Sequence, residues 1–210
     1  MQLYVSVPVA SFRVAQAREY WESYPCPPPS TVYGMLLSVI GEEDRLRHAG
    51  AEIAIATLGH PERSKVLRTV WRLKDKRKGS GQGNNRRPDF VELLTGVRFC
   101  VWVRPGRAEA PPGLAHRLAA AIEDPAQVVR FGGVALGEST SLVDDFRPWR
   151  VGDPADGSYL LISANGNLTL PVWPDHVGSR HTRWECYQQS STGLIGTPPD
   201  SAWTVIRPLE

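Results

Sequence analysis

The chain has 210 residues, 41% of them hydrophobic and 22% charged, with three cysteines and a formal net charge of +2. That length can bury a real core and suits one large domain or a domain with an appendage, and the composition is that of a globular protein in water. No apolar run reaches the ~20 residues of a membrane helix, and Cys26, Cys100 and Cys186 are too scattered for a disulfide framework or a zinc site, so no membrane partner is expected and a reducing cytoplasm is the expected compartment.

The first residues, Met1 to Pro8, read as a strand rather than a signal peptide, with Leu3, Val5, Val7 and Val9 alternating with Tyr4 and Ser6. Ala10 to Tyr24 follows, with Arg13, Arg18, Tyr20 and Trp21. Aromatics interleaved with arginines can stack bases and hold phosphates, although Tyr20 and Trp21 serve equally well as core anchors. Next comes Tyr24-Pro25-Cys26-Pro27-Pro28-Pro29-Ser30-Thr31-Val32-Tyr33-Gly34-Met35-Leu36-Leu37. The prolines hold the backbone extended, and Val32, Met35, Leu36, Val39 and Ile40 then recur at helical spacing. Ser30 or Thr31 is placed to cap the first turn, and Gly41 to end the helix. A stiff lead-in fixes the direction of a helix start, where free N–H groups and the macrodipole favour an anion. Gly34 lets another backbone approach that first turn. A capped core helix behind a proline loop accounts for the same residues.

Ala51 to Leu58 is a second strand and Val66 to Leu73 a third, with Arg68 and Arg72 on one face. Lys74 to Pro88 then carries no apolar side chain, and Asp89 to Leu94 returns as the other side of a long hairpin. The Gly/Ser/Asn/Lys/Arg tract predicts a mobile tip. Charge is concentrated here. Between Arg63 and Arg87 lie ten basic side chains, Lys74, Lys76, Arg86 and Arg87 among them, against the single acid Asp75. That segment carries +9 and leaves −7 on the remainder of a chain whose total is +2. A mildly acidic body with one intensely basic arm points to a polyanion partner, a solvated charged loop being the alternative.

Gly96 to Val103 is a strong strand and Leu114 to Ile122 a helix, ended by Pro125. The order is then βαββα, one strand short of a ferredoxin-like βαββαβ unit. The missing strand is expected near Val128–Phe131 or Val134–Leu136, on either side of Gly132-Gly133. These glycines, with Gly137 and Ser139, suit a loop that brings backbone amides against a phosphate, or a plain turn at a strand end. Neither a Walker loop nor a dinucleotide fingerprint is present. Residues 144–210 hold short β-like pieces in Pro/Gly/Ser-rich loops, with Asn165-Gly166 as a hairpin signal. Of the histidines, only His176 and His181, near Asp175, Ser179 and Arg180, form a cluster to weigh for acid/base work. None has metal-ligand spacing, no reactive cysteine or serine elbow stands out, and no cofactor is implied.

The string Pro27-Pro28-Pro29-Ser30-Thr31-Val32-Tyr33-Gly34-Met35-Leu36, behind an N-terminal strand, resembles the signature of the CRISPR-associated Cas-five family of the RAMP superfamily. The basic excursion after the second strand and the late segment Leu136-Gly137-Glu138-Ser139 follow in the family's order. The resemblance implies an α+β fold with a ferredoxin-like (RRM-like, RAMP) βαββαβ palm over residues 1–143. A basic β-hairpin thumb would occupy about 61–98, and a small C-terminal β-rich appendage residues 144–210. It implies a subunit of a type I Cascade complex that caps the 5′ handle of the crRNA. Such a subunit touches the backbone and large subunits and meets target DNA only through the complex. One subtype's member cuts pre-crRNA with a tyrosine and a lysine–histidine pair. No Lys-His dipeptide exists here, so the likeness implies holding rather than cutting, with metal-independent cleavage and a purely protein-binding role as the alternatives. Residues and resemblance together give the candidate RNA contacts: Arg13, Arg18, Tyr20, Trp21, Ser30, Thr31, Tyr33, Gly34, Arg68, Arg72, Lys74, Lys76, Arg86, Arg87, Arg130, Gly132, Gly133 and Ser139. Glu138 stands where family members often have arginine.

Overall fold

A computed structural model describes residues 1–17, 20–177, 180–191 and 193–209. The chain forms β1 (Gln2–Ala10), β2 (Tyr20–Trp21), α1 (Pro29–Val39), β3 (Glu52–Leu58), β4 (Glu62–Trp71) and β5 (Arg86–Arg104). It continues with α2 (Leu114–Glu123), β6 (Asp145–Pro148), β7 (Asp156–Ile162), β8 (Leu168–Trp173), β9 (Arg183–Gln189), β10 (Gly193–Leu194) and β11 (Thr204–Val205).

Where the sequence pattern shows two strands, 89–94 and 96–103, the structure has one of 19 residues, β5. Its C-terminal half lies between β1 and β3, antiparallel to both, with Val5 opposite Phe99 and Ile55 opposite Val101. Its N-terminal half pairs with β4 from Glu62↔Thr95 out to Trp71↔Arg86, and with β2 on the other edge. Gly96, at φ 70°, stands where the two halves meet. A side chain is disfavoured at that φ, so glycine lets the strand turn there without breaking. The arm is therefore an extension of the central sheet.

Main-path strand order is β6-β1-β5-β3-β7-β9-β8. Alternate residues of the central strands (Leu3, Val5 and Val7; Ile53 and Ile55; Val97, Phe99, Val101 and Val103) pack with Val32, Met35 and Leu36 of α1 and Leu114 and Leu118 of α2. This is the period-2 sheet face meeting the period-3.6 helix stripe that the sequence shows.

Four expectations are corrected. The strand beyond α2 is neither 128–131 nor 134–136 but β6, which pairs with the free edge of β1. Residues 128–131 lie against the end of α1, so close that a Cβ on Gly41 would sit 2.2 Å from the Val129 carbonyl oxygen. Residues 134–136 are tied instead to 141–143, through Leu136 N–H to Ser141 O and Val143 N–H to Val134 O, both 2.9 Å. The C-terminal strands are no appendage: β7 and β11 both pair with β3, and Leu160, Leu170, Val172, Tyr187 and Ile206 join the same core.

Asn165-Gly166 does not close a hairpin, because β9 lies between β7 and β8. The loop instead crosses over β9, and a Cβ on Gly166 would meet the Tyr187 carbonyl oxygen at 2.3 Å. Glycine is required there for close approach rather than for a turn. The helix cap differs too. Pro28 is the N-cap of α1 and no side chain caps it, so neither Ser30 nor Thr31 has that role. Proline fits the first helical positions because it removes a donor that the helix cannot satisfy.

His48 locks the helix layer. Fully buried, it lies with Nδ1 3.0 Å from Glu109 Oε1 and Nε2 3.0 Å from Arg117 Nη1. Arg117 also pairs with Glu42. An arginine can only donate, so the ring is neutral with its proton on Nδ1. Burial holds the His48 pKa below the ordinary value, and the charge of Arg117 adds to this against the opposing pull of Glu109. The unfolded chain therefore takes up this proton more readily than the native one. Stability from this site is complete above pH ~6.5 and declines as pH falls below that value toward the native pKa. The melting temperature is expected to drop between neutral pH and pH ~5.5, and the drop to flatten in His48→Gln, as measured by thermal unfolding across pH.

Candidate nucleic-acid interface

The arm and the start of α1 meet at one short loop. Arg68 of β4 donates from Nη1 to Glu138 Oε2 at 2.9 Å. The adjacent Gly137 lines a cavity of about 330 Å³ with Ser30, Thr31 and Gly34 of α1. Gly137 has φ 87°, and a Cβ there would stand 2.9 Å from the Ser11 carbonyl oxygen. The loop is thus pressed against the segment leading to Arg13.

At the helix start the offered groups differ from a bare helix terminus. Pro28 and Pro29 have no N–H, and the Thr31 amide donates to the Pro28 carbonyl at 2.9 Å. The Ser30 amide alone among these lacks an intrahelical acceptor. Both hydroxyls, half-exposed, add polar atoms to the cavity wall. Gly34 occupies a helix interior where a Cβ would meet nothing within 4 Å. Among the described residues no backbone takes up the approach it permits. Tyr33 lines the same cavity from a buried position: it packs on Trp173 with ring centroids 6.0 Å apart, and its hydroxyl donates to the Arg45 carbonyl at 2.7 Å. Burial first, and the charge of Glu109 second, push its pKa up. Arg45, which no pattern marks within the charged loop after α1, lies 4.0 Å over the Trp173 ring and lines the same cavity, as does His176.

The base of the arm carries a second cluster. Arg13 lies 4.0 Å over the Trp21 ring and Lys65 lies 5.1 Å from the Tyr20 ring centroid. The Tyr20 hydroxyl donates to Glu92 Oε1 at 3.5 Å. Arg18 lies outside the described residues. Arg130 reaches the opposite end of α1, where Nη1 donates to the Val39 carbonyl at 3.5 Å. Gly132 and Gly133 follow it in an exposed loop. Ser139 is exposed, and the amides of Leu136, Ser141 and Val143 bond within the loop. His181 pairs with Asp175 at 3.5 Å, while Ser179 lies outside the described residues.

Along the arm the cations fall into two groups. Arg63 pairs with Glu92 at 3.2 Å, Arg68 with Glu138, and Arg87 with the buried Asp89 at 2.6 Å. Lys74, Lys76, Arg77, Lys78 and Arg86 are exposed and have no ion pair among the described residues. Arg72 donates from Nε to the Asn84 carbonyl at 3.0 Å.

The tip is also not the structureless tract its composition predicts. Asn85 is fully buried. Its Oδ1 accepts from the amides of Lys74 and Asp75 at 2.9 and 2.7 Å. Its Nδ2 lies within 3.1 Å of the carbonyls of Asp75, Lys78 and Gly79. One side chain thus does for this loop what a hydrophobic core does elsewhere.

With this geometry in view, comparison with known proteins places the chain. A family profile described as "CRISPR-associated protein (Cas_Cas5)" matches residues 1–145. A protein of Myxococcus xanthus (strain DK1622), described as "CRISPR-associated protein Cas5", is 45% identical over 186 residues, 87% of this chain and 86% of its own length. The chain belongs to the CRISPR-associated Cas5 family. A chain from a solved "CRISPR RNA-guided surveillance complex" shares the fold at a TM-score of 0.59 and 13% identity, over 96% of both chains. A second, from a "Crystal structure of Cas protein", does so at 0.52 and 15%, over 90% of this chain and 94% of its own.

Loss of the Asn85 amide should open the tip without unfolding the body. Asn85→Ala strands two amide donors and up to three carbonyls, and each buried group left unpaired costs ~1–3 kcal/mol. Tryptic cleavage between Lys74 and Arg86 is expected to accelerate at least ~30-fold, while the melting temperature of the sheet stays within a few degrees. Limited proteolysis with mass analysis reads both.

Proposed function

We propose that this chain is the Cas5 subunit of a type I Cascade complex that holds the 5′ handle of the crRNA without cutting it. The observation that carries the reading is the tip of the arm. Five exposed cations with no ion pair among the described residues stand at the tip of an arm whose strands grow out of the central sheet. A globular body has no structural use for such a group, and a phosphate chain does. Family membership and the likeness to a chain of an RNA-guided surveillance complex support it. The strand order β6-β1-β5-β3, with helices after the first and third of the four strands in chain order, supports a ferredoxin-like, RRM-like palm. The arm is then the thumb.

On this reading the RNA passes between the arm and the face that holds Ser30, Thr31 and Gly34, with Arg13 and Trp21 at the arm's base. Backbone and large subunits of the complex are its protein neighbours, target DNA is met through the complex, and the compartment is the cytoplasm. His176 beside Arg45 in the cavity is the placement a cleavage reaction would use. Incubation with repeat RNA in the presence of chelator is expected to leave the RNA intact. A discrete product would replace holding by cutting.

The ion pairs rank the cations. Each phosphate released from a single strand contributes ~0.7 to the slope of log affinity against log salt. Replacing Lys74, Lys76, Arg77, Lys78 and Arg86 together by alanine is expected to flatten that slope by ~3 and to weaken handle RNA binding by ~100-fold or more near 0.1 M salt. Arg68→Ala and Arg87→Ala change it less than ~3-fold, because Glu138 and Asp89 already neutralise them. Fluorescence anisotropy with handle RNA checks this, and unchanged affinity in the five-fold variant would remove the reading.

Gly34→Ala supplies an independent check. In a helix interior with open space above it, alanine stabilises the fold by ~0.5–1 kcal/mol. The same methyl group intrudes where the RNA backbone is proposed to lie, so the variant should melt higher and bind handle RNA ~5-fold or more weakly. Equal binding by the stabilised variant would move the RNA path away from α1.

A further inference from the structure

A second pocket stands at the far end of β8 from the cavity beside α1. Because the 163–167 loop crosses over β9 at Tyr187, Asn165 and Asn167 come to lie beside Gln188 and Gln189. These four residues, Asn165, Asn167 and Gln188 with exposed side chains, line a pocket of about 380 Å³ with Pro25 and Leu168. Among the described residues the side chains of Asn165, Asn167 and Gln188 make no hydrogen bond, and that of Gln189 makes one, from Nε2 to Thr57 Oγ1 at 3.4 Å. No charged side chain lines the pocket, so it is not built for a phosphate.

A primary amide presents a donor and an acceptor side by side. That pair matches the edge of a nucleobase, and Asn or Gln bound bidentately to adenine is the recurrent case. Single-stranded RNA exposes such edges because its bases are unstacked and splayed. The pocket shares a strand and the proline segment with the cavity beside α1. Leu168 lines the pocket, while Trp173, at the other end of the same strand, lines the cavity with Ser30. At ~3.3 Å per residue the two ends are ~17 Å apart. The proline segment covers the same span, with Pro25 in one pocket and Ser30 in the other.

We propose that the amide pocket is a base-reading subsite that takes one unstacked nucleobase, adenine by preference, from the RNA strand whose phosphates the arm holds. This rests on the RNA-holding reading above and adds selectivity to it. Charged groups at the tip act on every sequence alike, whereas uncharged amides distinguish one base edge from another.

The test uses the full chain with fluorescein-labelled oligo(A), oligo(C) and oligo(U) of about 12 nucleotides, within the range that single-strand binders cover. Wild-type protein is expected to bind oligo(A) ~10-fold more tightly than oligo(U), the scale of one bidentate base contact. In the double variant Asn167→Ala, Gln188→Ala that preference disappears, while oligo(U) affinity and the salt slope change less than ~2-fold. Gln188→Glu, which keeps the side chain's size and removes its donor, should lose part of the preference in a protein of unaltered melting temperature. Equal binding of the three RNAs by wild type, or uniform weakening of all three in the variants, overturns the subsite and leaves RNA holding intact. Failure of wild type to bind any of them sinks RNA holding itself. Variants that keep their base preference but lose a protein neighbour from the assembled complex would make the pocket a protein contact, which also overturns the proposal.

Discussion

The arm's direction is set by the hydrogen-bond ladder of a single strand. β5 runs from the tip at Arg86 to the body at Arg104 and carries a partner on both edges along much of its length. A hairpin attached by a flexible linker would sample many directions, and any grip it made would be weakened by the entropy of ordering it. Here β3 hands over to β4 on one edge, and β1 to β2 on the other. The only concession is Gly96, where the strand turns. The fold thus fixes where the tip points before any ligand arrives, and fixed geometry reduces the ordering cost of binding.

Charge follows the same division. Carboxylates at the base of the arm are matched locally: Glu92 to Arg63, Asp89 to Arg87, and Glu138 across to Arg68. Asp89 and Glu92 are nearly inaccessible, and a buried carboxylate without a partner would be strongly unfavourable. These arginines therefore belong to the structure of the arm as much as to any function. Beyond them Asp75 is the single acid among the exposed cations. A positive charge that looks evenly spread along residues 63–87 is, in three dimensions, a neutralised base and an unneutralised tip.

Much of this was legible in the residues. The alternation of β1, β3 and β5 and the stripes of α1 and α2 follow from burial on one face, which periodicity reports directly. Local signals failed where tertiary context chose between equally good local structures. Val128–Phe131 has strand composition but is pressed against α1, while Asp145–Pro148, with one apolar side chain facing the core, becomes the edge strand. Asn165-Gly166 has hairpin chemistry, yet its glycine answers a steric demand from a strand that enters twenty residues later. Arg45 and Asn85 carry no pattern at all. One is a cation whose value lies in the tryptophan beneath it, the other a polar side chain whose value lies in five backbone groups around it.

The start of α1 shows why grip and selectivity need separate places. A helix terminus with four free amides is an anion site in its own right. The proline run removes that capacity: Pro28 and Pro29 have nothing to donate and Thr31 is spent on Pro28, so the first turn offers hydroxyls, one amide and the flat surface of Gly34. Such a surface holds a phosphate weakly but tolerates close contact, and it is nearly free of salt dependence. Strong, screened, sequence-blind attraction then belongs to the arm, and short-range shape and hydrogen bonding belong to the body. On the proposed function, single-stranded RNA held at a defined end is the ligand that meets both.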